Sequence, residues 1–178
     1  FPIIKIPAEY RRIVDGLLFG GVRVSVFIFL AFSIICWIVL KETKFGNYVY
    51  AIGGNQEAAR LSGVKVDRYR ILIFAIGMLG TALAALIQLG KLGVGEASAG
   101  SGYELNAIAA VAIGGSSMAG GRGSILGTVL GALLFSALRI GLIVAGIEPF
   151  WQYVATGLVI IIATYGETIQ SRFAEARK

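Results

Sequence analysis

The sequence predicts an all-α integral membrane domain that occupies residues 1–178 and has about five transmembrane segments. Three observations carry this prediction. Apolar residues make up 57% of the chain, and the mean hydropathy is +0.81. Charged residues make up only 15%, whereas globular chains carry about 25%. The charges are clustered, and the uncharged stretches between them approach the roughly 17–25 residues that cross a bilayer.

The predicted spans follow the uncharged stretches in chain order. They cover residues 23–40, 71–90, 105–121, 123–139 and 149–166. Pro149 suits a first helical turn, and the Trp and Tyr residues just after it fit an interfacial aromatic belt. The span at 105–121 is the weakest, because Gly and Ser near its end loosen a helix. A broken helix and a re-entrant segment both stay open there.

The remaining segments lie outside the spans. Residues 1–21 mix charged, Pro and apolar residues and predict an extracytoplasmic loop or interfacial segment. Phe1 with no signal-peptide pattern after it is typical of a piece of a longer protein. Residues 41–70 hold the densest run of basic residues, which predicts a cytoplasmic loop. Residues 167–178 then form a cytoplasmic tail.

The composition excludes several kinds of chemistry. The chain has no His and a single Cys, and none of its ten acidic residues falls in the middle of an apolar stretch. We therefore expect no catalytic residue, no metal and no cofactor, and no intramembrane carboxylate of the kind that proton-driven carriers use. The chain has a net charge of +6, and its basic residues lie between the apolar stretches, where they act as an orientation signal. Lipid rather than nucleic acid is the expected partner.

Three glycine-containing patterns stand out. Gly123, Gly127 and Gly131 recur every four residues and predict a helix face against which a neighbouring backbone packs, with a pore-lining role as the alternative. The sequence GNQEAARLSGV predicts a short helix that Asn55 caps and Gly63 closes. That helix is either surface structure or an element that docks into a partner's groove. The sequence GGSSMAGGRG lacks the Lys and the Ser or Thr of a P-loop, so it predicts a flexible cytoplasmic turn.

Two neutral polar residues beside the spans, Gln88 and Asn106, are candidates for a substrate path. Their amide groups suit a neutral polar solute. The alternative for each is a hydrogen bond to a neighbouring helix.

Two stretches resemble a known family. GNYVYAIGGNQEAARLSGV (46–64) and AGSGYELNAIAAVAIGGSSMAGGRGSILGTVLGALL (99–134) are similar to the permease subunit of bacterial ABC importers for monosaccharides, the ribose type. The resemblance covers about residues 46–166. Related permeases for branched-chain amino acids share the glycine-rich motif, but GGN followed by AARLSG is more like the sugar branch.

The resemblance implies a subunit that gives a ribose-like pentose or a hexose its path across the bacterial inner membrane. It implies that the chain is the C-terminal half of a permease of about ten helices. The implied partners are a second permease copy, cytoplasmic ATPase subunits, which hydrolyse the ATP, and an extracytoplasmic sugar-binding protein. The alternatives are a branched-chain amino-acid permease and, less favoured, an ATPase-independent channel or carrier.

The same resemblance implies the coupling residues. The ATPase-coupling segment consists of Glu57, Ala58, Ala59, Arg60, Leu61, Ser62 and Gly63. A candidate second coupling turn consists of Gly114, Gly115, Ser116, Ser117, Gly120, Gly121 and Arg122.

Overall fold

The computed structural model describes residues 7, 9, 10, 14, 16–18 and 21–175, except the side chains of 18 and 167–175. Within this part, seven α-helices and one short pair of strands have defined bounds. They are β1 (Leu17–Leu18), β2 (Val22–Arg23), α1 (Val24–Glu42), α2 (Lys44–Gly54), α3 (Gln56–Leu61), α4 (Val66–Leu92), α5 (Tyr103–Ile113), α6 (Ile125–Val144) and α7 (Pro149–Glu175). The predicted all-α class is confirmed.

Three helices of the described part are long and apolar enough to cross a membrane. They are α1, α4 and α6, with mean hydropathies of 2.5, 2.2 and 2.0. Each overlaps one of the predicted uncharged stretches: α1 and α6 begin one and two residues after the start of theirs, and all three helices end two to five residues beyond them. Their large apolar side chains are mostly exposed, for example Ile35, Phe74 and Leu134. Such faces suit hydrocarbon rather than water, so the structure is that of a multi-pass membrane protein.

The segment predicted as a span at 105–121 differs most from its prediction. The helix there, α5, has 11 residues, which is about 16 Å at 1.5 Å per residue. The hydrocarbon core of a bilayer is about 30 Å thick, so α5 reaches across half of it. The helix ends because Gly115 adopts a left-handed conformation with φ +75°. A continuous transmembrane helix over these residues is therefore wrong.

The two ends of this segment lie at opposite ends of α4. At one end Tyr103 accepts a hydrogen bond from Gln88, near the last turn of α4. At the other end Gly121 lies against Gly53 of α2, and α2 packs a tyrosine ring on Tyr69 in the first turn of α4. A re-entrant segment returns to the side from which it came. The structure therefore has the broken crossing of the two alternatives.

The core of the described part is centred on α5. This helix packs between α6 and α7, while α1 contacts α6 and α2 contacts both α1 and α4. Ala109 and Ala110 of α5 and Phe135 of α6 are buried. Because the buried residues of α5 are alanines, the helix approaches its neighbours closely.

The segments predicted as loops contain more regular structure than expected. Residues 41–70, predicted as a loop with one short helix, also contain α2 and the start of α4. Part of the predicted tail at 167–178 continues α7 as far as Glu175. The segment predicted at 1–21 lies mostly outside the described residues, but β1 pairs with β2 in an antiparallel register that joins Leu17 to Arg23.

Candidate functional site

Local interactions define both ends of α3. The Asn55 side chain accepts a hydrogen bond from the backbone N–H of Ala58 at 3.0 Å, which is the predicted N-cap. Gly63 has a φ of +83° and ends the helix. Six residues suffice for this helix because its capping residues satisfy groups that a free helix end leaves unpaired.

The outer face of α3 presents an apolar side chain and a cation. Leu61 is 82% exposed. The guanidinium of Arg60 lies 3.8 Å from the Asp67 carboxylate, and both side chains are largely exposed. An ion pair in this setting contributes about 0–1 kcal/mol, so Arg60 is available to a partner at small cost. Ala59 is buried beneath this face, where Ala58, Ala59 and residues of α2 line a cavity of about 430 Å³.

The second candidate coupling segment, at 114–122, is a tight turn closed by its own backbone. The N–H of Ser117 donates to the carbonyl of Arg122 at 2.9 Å. Gly120 and Gly121 have φ values of +94° and +74°. Residues with side chains rarely adopt this conformation, which explains the glycines at the tip of the turn.

This turn packs backbone to backbone on the junction of α2 and α3. We call the packing of Gly53 and Gly54 against Gly120 and Gly121 the glycine contact. A Cβ atom added to Gly53 would lie 2.6 Å from the backbone nitrogen of Gly121, and one added to Gly120 would lie 2.5 Å from the carbonyl oxygen of Gly53. The hydroxyl of Tyr50 donates to the carbonyl of Gly123 at 2.9 Å. The turn at 114–122 thus contacts the last residues of α2, directly before Asn55 and the predicted coupling segment at 57–63.

Gly53 and Tyr50 were not among the site residues predicted from the sequence. The pair Gly53–Gly54 and the pair Gly120–Gly121 were visible signals, because adjacent glycines permit close backbone approach. The contact between the two pairs could not be predicted from the sequence, because the pairs are far apart in the chain. Residues 57–63 themselves adjoin the contact through Asn55 and Gln56.

The glycines spaced four residues apart face α5 and the turn that follows it. A Cβ added to Gly131 would collide with the carbonyl oxygen of Ala110, and one added to Gly127 would collide with that of Gly114. At Gly123 the nearest atom is the Ser116 hydroxyl oxygen, 2.8 Å from an added Cβ. Gly131 is buried. The backbones of α5 and α6 therefore touch along this face.

Of the two residues predicted to line a substrate path, Asn106 lines a cavity at the other end of α5, whereas Gln88 contacts one of the residues that line it. Gln88 donates from its amide nitrogen to the hydroxyl of Tyr103 at 3.0 Å. Tyr103 and Asn106 line a cavity of about 220 Å³ between α5 and α6, which we call the outer cavity because the predicted orientation places this end outside. Its lining consists of Tyr103, Asn106, Phe135, Ser136 and Arg139.

Arg139 was predicted to end the span at 123–139, but α6 continues to Val144. The charge therefore lies inside the helix and on the wall of the outer cavity. In the sequence, a single basic residue followed by further apolar residues was the indication that the helix continues past Arg139. Ser136 and Tyr103 carried no comparable signal in the sequence.

The chemistry of both regions is that of binding and positioning. Over the described residues, no group of three His, Cys, Asp or Glu is placed to hold a metal ion. The outer cavity offers one guanidinium, an amide and two hydroxyl groups as hydrogen-bonding partners, together with two aromatic rings. The glycine contact offers only backbone.

Comparison with known proteins gives several matches. A family model described as "Branched-chain amino acid transport system / permease component" matches residues 2–164. The ribose import permease protein of Bacillus subtilis is 43% identical over 145 residues, which are 82% of this chain and 45% of that protein. The xylose transport system permease protein of Haemophilus influenzae is 41% identical over 150 residues, 84% of this chain and 40% of that protein.

A probable ABC transporter permease protein of Escherichia coli is 36% identical over 177 residues, 98% of this chain and 53% of that protein. The chain therefore spans about half the length of the curated relatives it matches, or less. No solved structure matches the chain. These relatives confirm the resemblance to ABC permeases of the sugar type that the stretches at 46–64 and 99–134 predicted.

Proposed function

The chain belongs to the family of branched-chain amino acid transport system permease components, and we propose that it forms part of the membrane passage of a bacterial ABC importer for a monosaccharide. The names of the relatives, ribose and xylose permeases among them, support a sugar as the transported solute. In this proposal the chain catalyses no bond chemistry. ATP is hydrolysed by a cytoplasmic partner, and the permease converts the partner's movement into an opening on one side of the membrane.

One observation carries the coupling proposal: a capped helix with an exposed apolar residue sits directly beside the glycine contact. Leu61 and Arg60 on α3 face outward and are available to an ATPase groove. From α3, a displacement reaches the turn at 114–122 through Gly53 and Gly121, whose backbones touch. The turn leads directly into α6.

Backbone contact suits the transmission of force. A contact between long side chains yields when rotamers change, whereas two touching backbones move together. The hydrogen bond from Tyr50 to Gly123 adds a second link between α2 and the start of α6. Movement of α3 by an ATPase would therefore shift α2, the turn and α6 as one rigid body.

The remaining proposed partners are those that membership of the permease family implies. A second permease copy and the other half of the permease would cover parts of the apolar faces of α1, α4 and α6, and lipid would cover the rest. An extracytoplasmic binding protein would deliver the sugar to the end of the molecule that holds the outer cavity. The proposed location is the bacterial inner membrane.

The coupling role of α3 is tested by charge and polarity reversal in the full-length permease with its ATPase and binding protein. Arg60→Glu and Leu61→Asp should each weaken docking by about 1–3 kcal/mol, through an unpaired charge in the interface. The complex should lose substrate-stimulated import while the amount of inserted permease stays normal. Loss of the ATPase on purification is the second expected readout.

Arg68→Glu is the matched control, because it makes the same charge reversal on an exposed residue of α4, outside α3. This control should import normally. If Arg60→Glu and Leu61→Asp both import at the wild-type rate and keep their ATPase, then α3 is surface structure and the coupling proposal fails.

A branched-chain amino acid is the second candidate solute, because the guanidinium of Arg139 in the outer cavity is also suited to a carboxylate. Uptake of labelled pentoses, hexoses and leucine by the wild-type complex separates the two candidates. We expect uptake of a sugar and none of leucine.

A further inference from the structure

We infer that the outer cavity is a binding station for a single monosaccharide on its way through the permease, an inference that rests on the proposed function. The cavity measures about 220 Å³, below the roughly 300–1,000 Å³ of pockets for drug-sized ligands. Its size therefore suits a small solute. It lies between α5 and α6 at the end opposite the glycine contact.

Arg139 is the residue that most needs an explanation. It lies within an apolar helix, five positions before the last residue, Val144, and is half-buried. It makes no hydrogen bond or ion pair with any residue that the structure describes. A charge within a membrane span is costly and usually faces a polar cavity or a partner. In the predicted orientation this end lies outside, where the positive-inside tendency offers no reason for a cation, so the guanidinium donors of Arg139, which have no partner among the described residues, point to a ligand.

Tyr103 and Asn106 complete a set of groups that matches a sugar. The hydroxyl of Tyr103 accepts the hydrogen bond from Gln88, and this leaves its own proton free to donate. The amide of Asn106 both donates and accepts, as a sugar hydroxyl does. The ring of Tyr103 supplies apolar surface for the C–H faces of the sugar, and the buried ring of Phe135 lies in the wall of the cavity. Gln88 is then a positioning residue that acts through Tyr103.

The charge balance of the cavity favours a neutral solute over an amino acid. None of its lining residues is acidic. The carboxylate of an amino acid would find Arg139, but its ammonium group would find no counter-ion in this cavity. A sugar requires only donors and acceptors, which the cavity provides.

The first test measures import by the full-length permease, with its ATPase and binding protein in proteoliposomes, of whichever labelled pentose or hexose the wild type carries. Arg139→Gln and Tyr103→Phe should each slow import at least tenfold, with assembly and basal ATP hydrolysis unchanged. Tyr165→Phe is the matched control, because it removes a tyrosine hydroxyl from α7 away from the cavity, and it should import normally. Gln88→Leu alone should slow import. When it is combined with Tyr103→Phe, import should be no slower than in Tyr103→Phe alone.

The second test reads occupancy directly. In a full-length permease without other cysteines, Ser136→Cys should react with a membrane-impermeant thiol reagent from the outside. The transported sugar should slow this labelling several-fold. Ser98→Cys, in the segment between α4 and α5, should be labelled at the same rate with or without sugar.

The outcomes separate this inference from the proposed function. In one outcome, the wild type imports a sugar while Arg139→Gln and Tyr103→Phe import it at the same rate and the sugar does not protect Ser136→Cys from labelling. That result refutes the binding site in the outer cavity and leaves the proposed importer function intact. In that case Arg139 only extends to the outer lipid headgroups. Protection of Ser136→Cys by leucine alone also refutes a sugar station. A wild type that imports no sugar refutes both proposals.

Discussion

The two ends of α6 differ in the way they contact the rest of the molecule. At the inner end, near the glycine contact, glycines bring backbones together, and the side-chain links there include the hydroxyl of Tyr50 on the carbonyl of Gly123 and the hydroxyls of Ser116 and Thr128, which lie 3.5 Å apart. At the outer end, side chains line the outer cavity, and Arg139 reaches it without a partner in the described part of the chain. A backbone contact transmits movement, whereas a cavity accepts a ligand. In the proposed function, the inner end would transmit movement and the outer end would bind the solute.

The comparison depends first on which side of the membrane each end faces, and this gives the largest expected effect. Asn55→Cys in a background without other cysteines should be labelled by an impermeant thiol reagent only after the cytoplasmic side is opened. Ser98→Cys should be labelled in intact cells. Labelling of Asn55→Cys from outside would reverse the orientation and, with it, the roles of the two ends.

The second largest effect is expected along the face where α6 touches α5. In Gly131→Leu the added side chain meets the backbone at Ala110 and Gly114, which cannot move aside as a side chain would. Overpacking already costs about 1–3 kcal/mol where neighbours can yield, so little assembled permease should remain on gel filtration. Gly141→Leu in the same helix is the control, because an added Cβ there has no described neighbour within 4 Å. Equal yields of both variants would show that this face is not packed.

A smaller effect is expected at the glycine contact, where two neighbouring glycines differ. Gly53→Ala places a methyl group 2.6 Å from the nitrogen of Gly121, whereas Gly54→Ala places it 4.0 Å from the nearest atom. Gly53→Ala should lower the melting temperature of the purified complex and uncouple ATP hydrolysis from import, at a cost of about 1–3 kcal/mol. Gly54→Ala should match the wild type or exceed it slightly, because Ala is the better helix former. Identical behaviour of the two variants would contradict the close contact.

The next effect concerns α3, whose geometry depends on a local cap. Asn55→Ala removes the acceptor for the N–H of Ala58 and should cost about 0.5–2 kcal/mol of helix stability. Hydrogen exchange at Ala58 should accelerate, and import should slow because α3 frays. Asn55→Ser restores a capping oxygen and should restore both readouts. Unchanged exchange in Asn55→Ala would show that tertiary contacts, rather than the cap, hold α3.

The smallest effect is expected for the side-chain link at the inner end. Tyr50→Phe deletes one neutral hydrogen bond, to the carbonyl of Gly123, and should cost about 0.5–1.5 kcal/mol. Tyr48→Phe is its control, because the Tyr48 ring packs on Tyr69 and its hydroxyl has no hydrogen-bond partner in the described part of the chain. A drop in coupled import for Tyr50→Phe alone would assign part of the transmission to this bond. A larger loss than in Gly53→Ala would mean that side chains, not backbone, carry the force.

Three of the predicted spans followed from hydropathy, and the structure contains α1, α4 and α6 at those positions. The α3 helix followed from Asn55 and Gly63 alone. These features depend on local properties. One is the free energy of transferring apolar residues from water to the bilayer, and the other is the capping of a helix by a neighbouring side chain. The sequence on its own therefore determined the membrane class, most of the spans, the short capped helix and the family.

The length of α5, the glycine contact and the outer cavity depend on residues that are distant in sequence. Composition predicted a crossing at 105–121, but the chain leaves the helix after Ile113, where Gly114 meets the backbone of α6 at Gly127. Gln88 and Asn106 were selected as neutral polar residues, whereas Tyr103, which accepts the hydrogen bond from Gln88, and Arg139 line the cavity because α5 packs on α6. Only tertiary packing could decide the helix length, the contact and the cavity. Each of them arises from steric contact between segments that are far apart in the sequence.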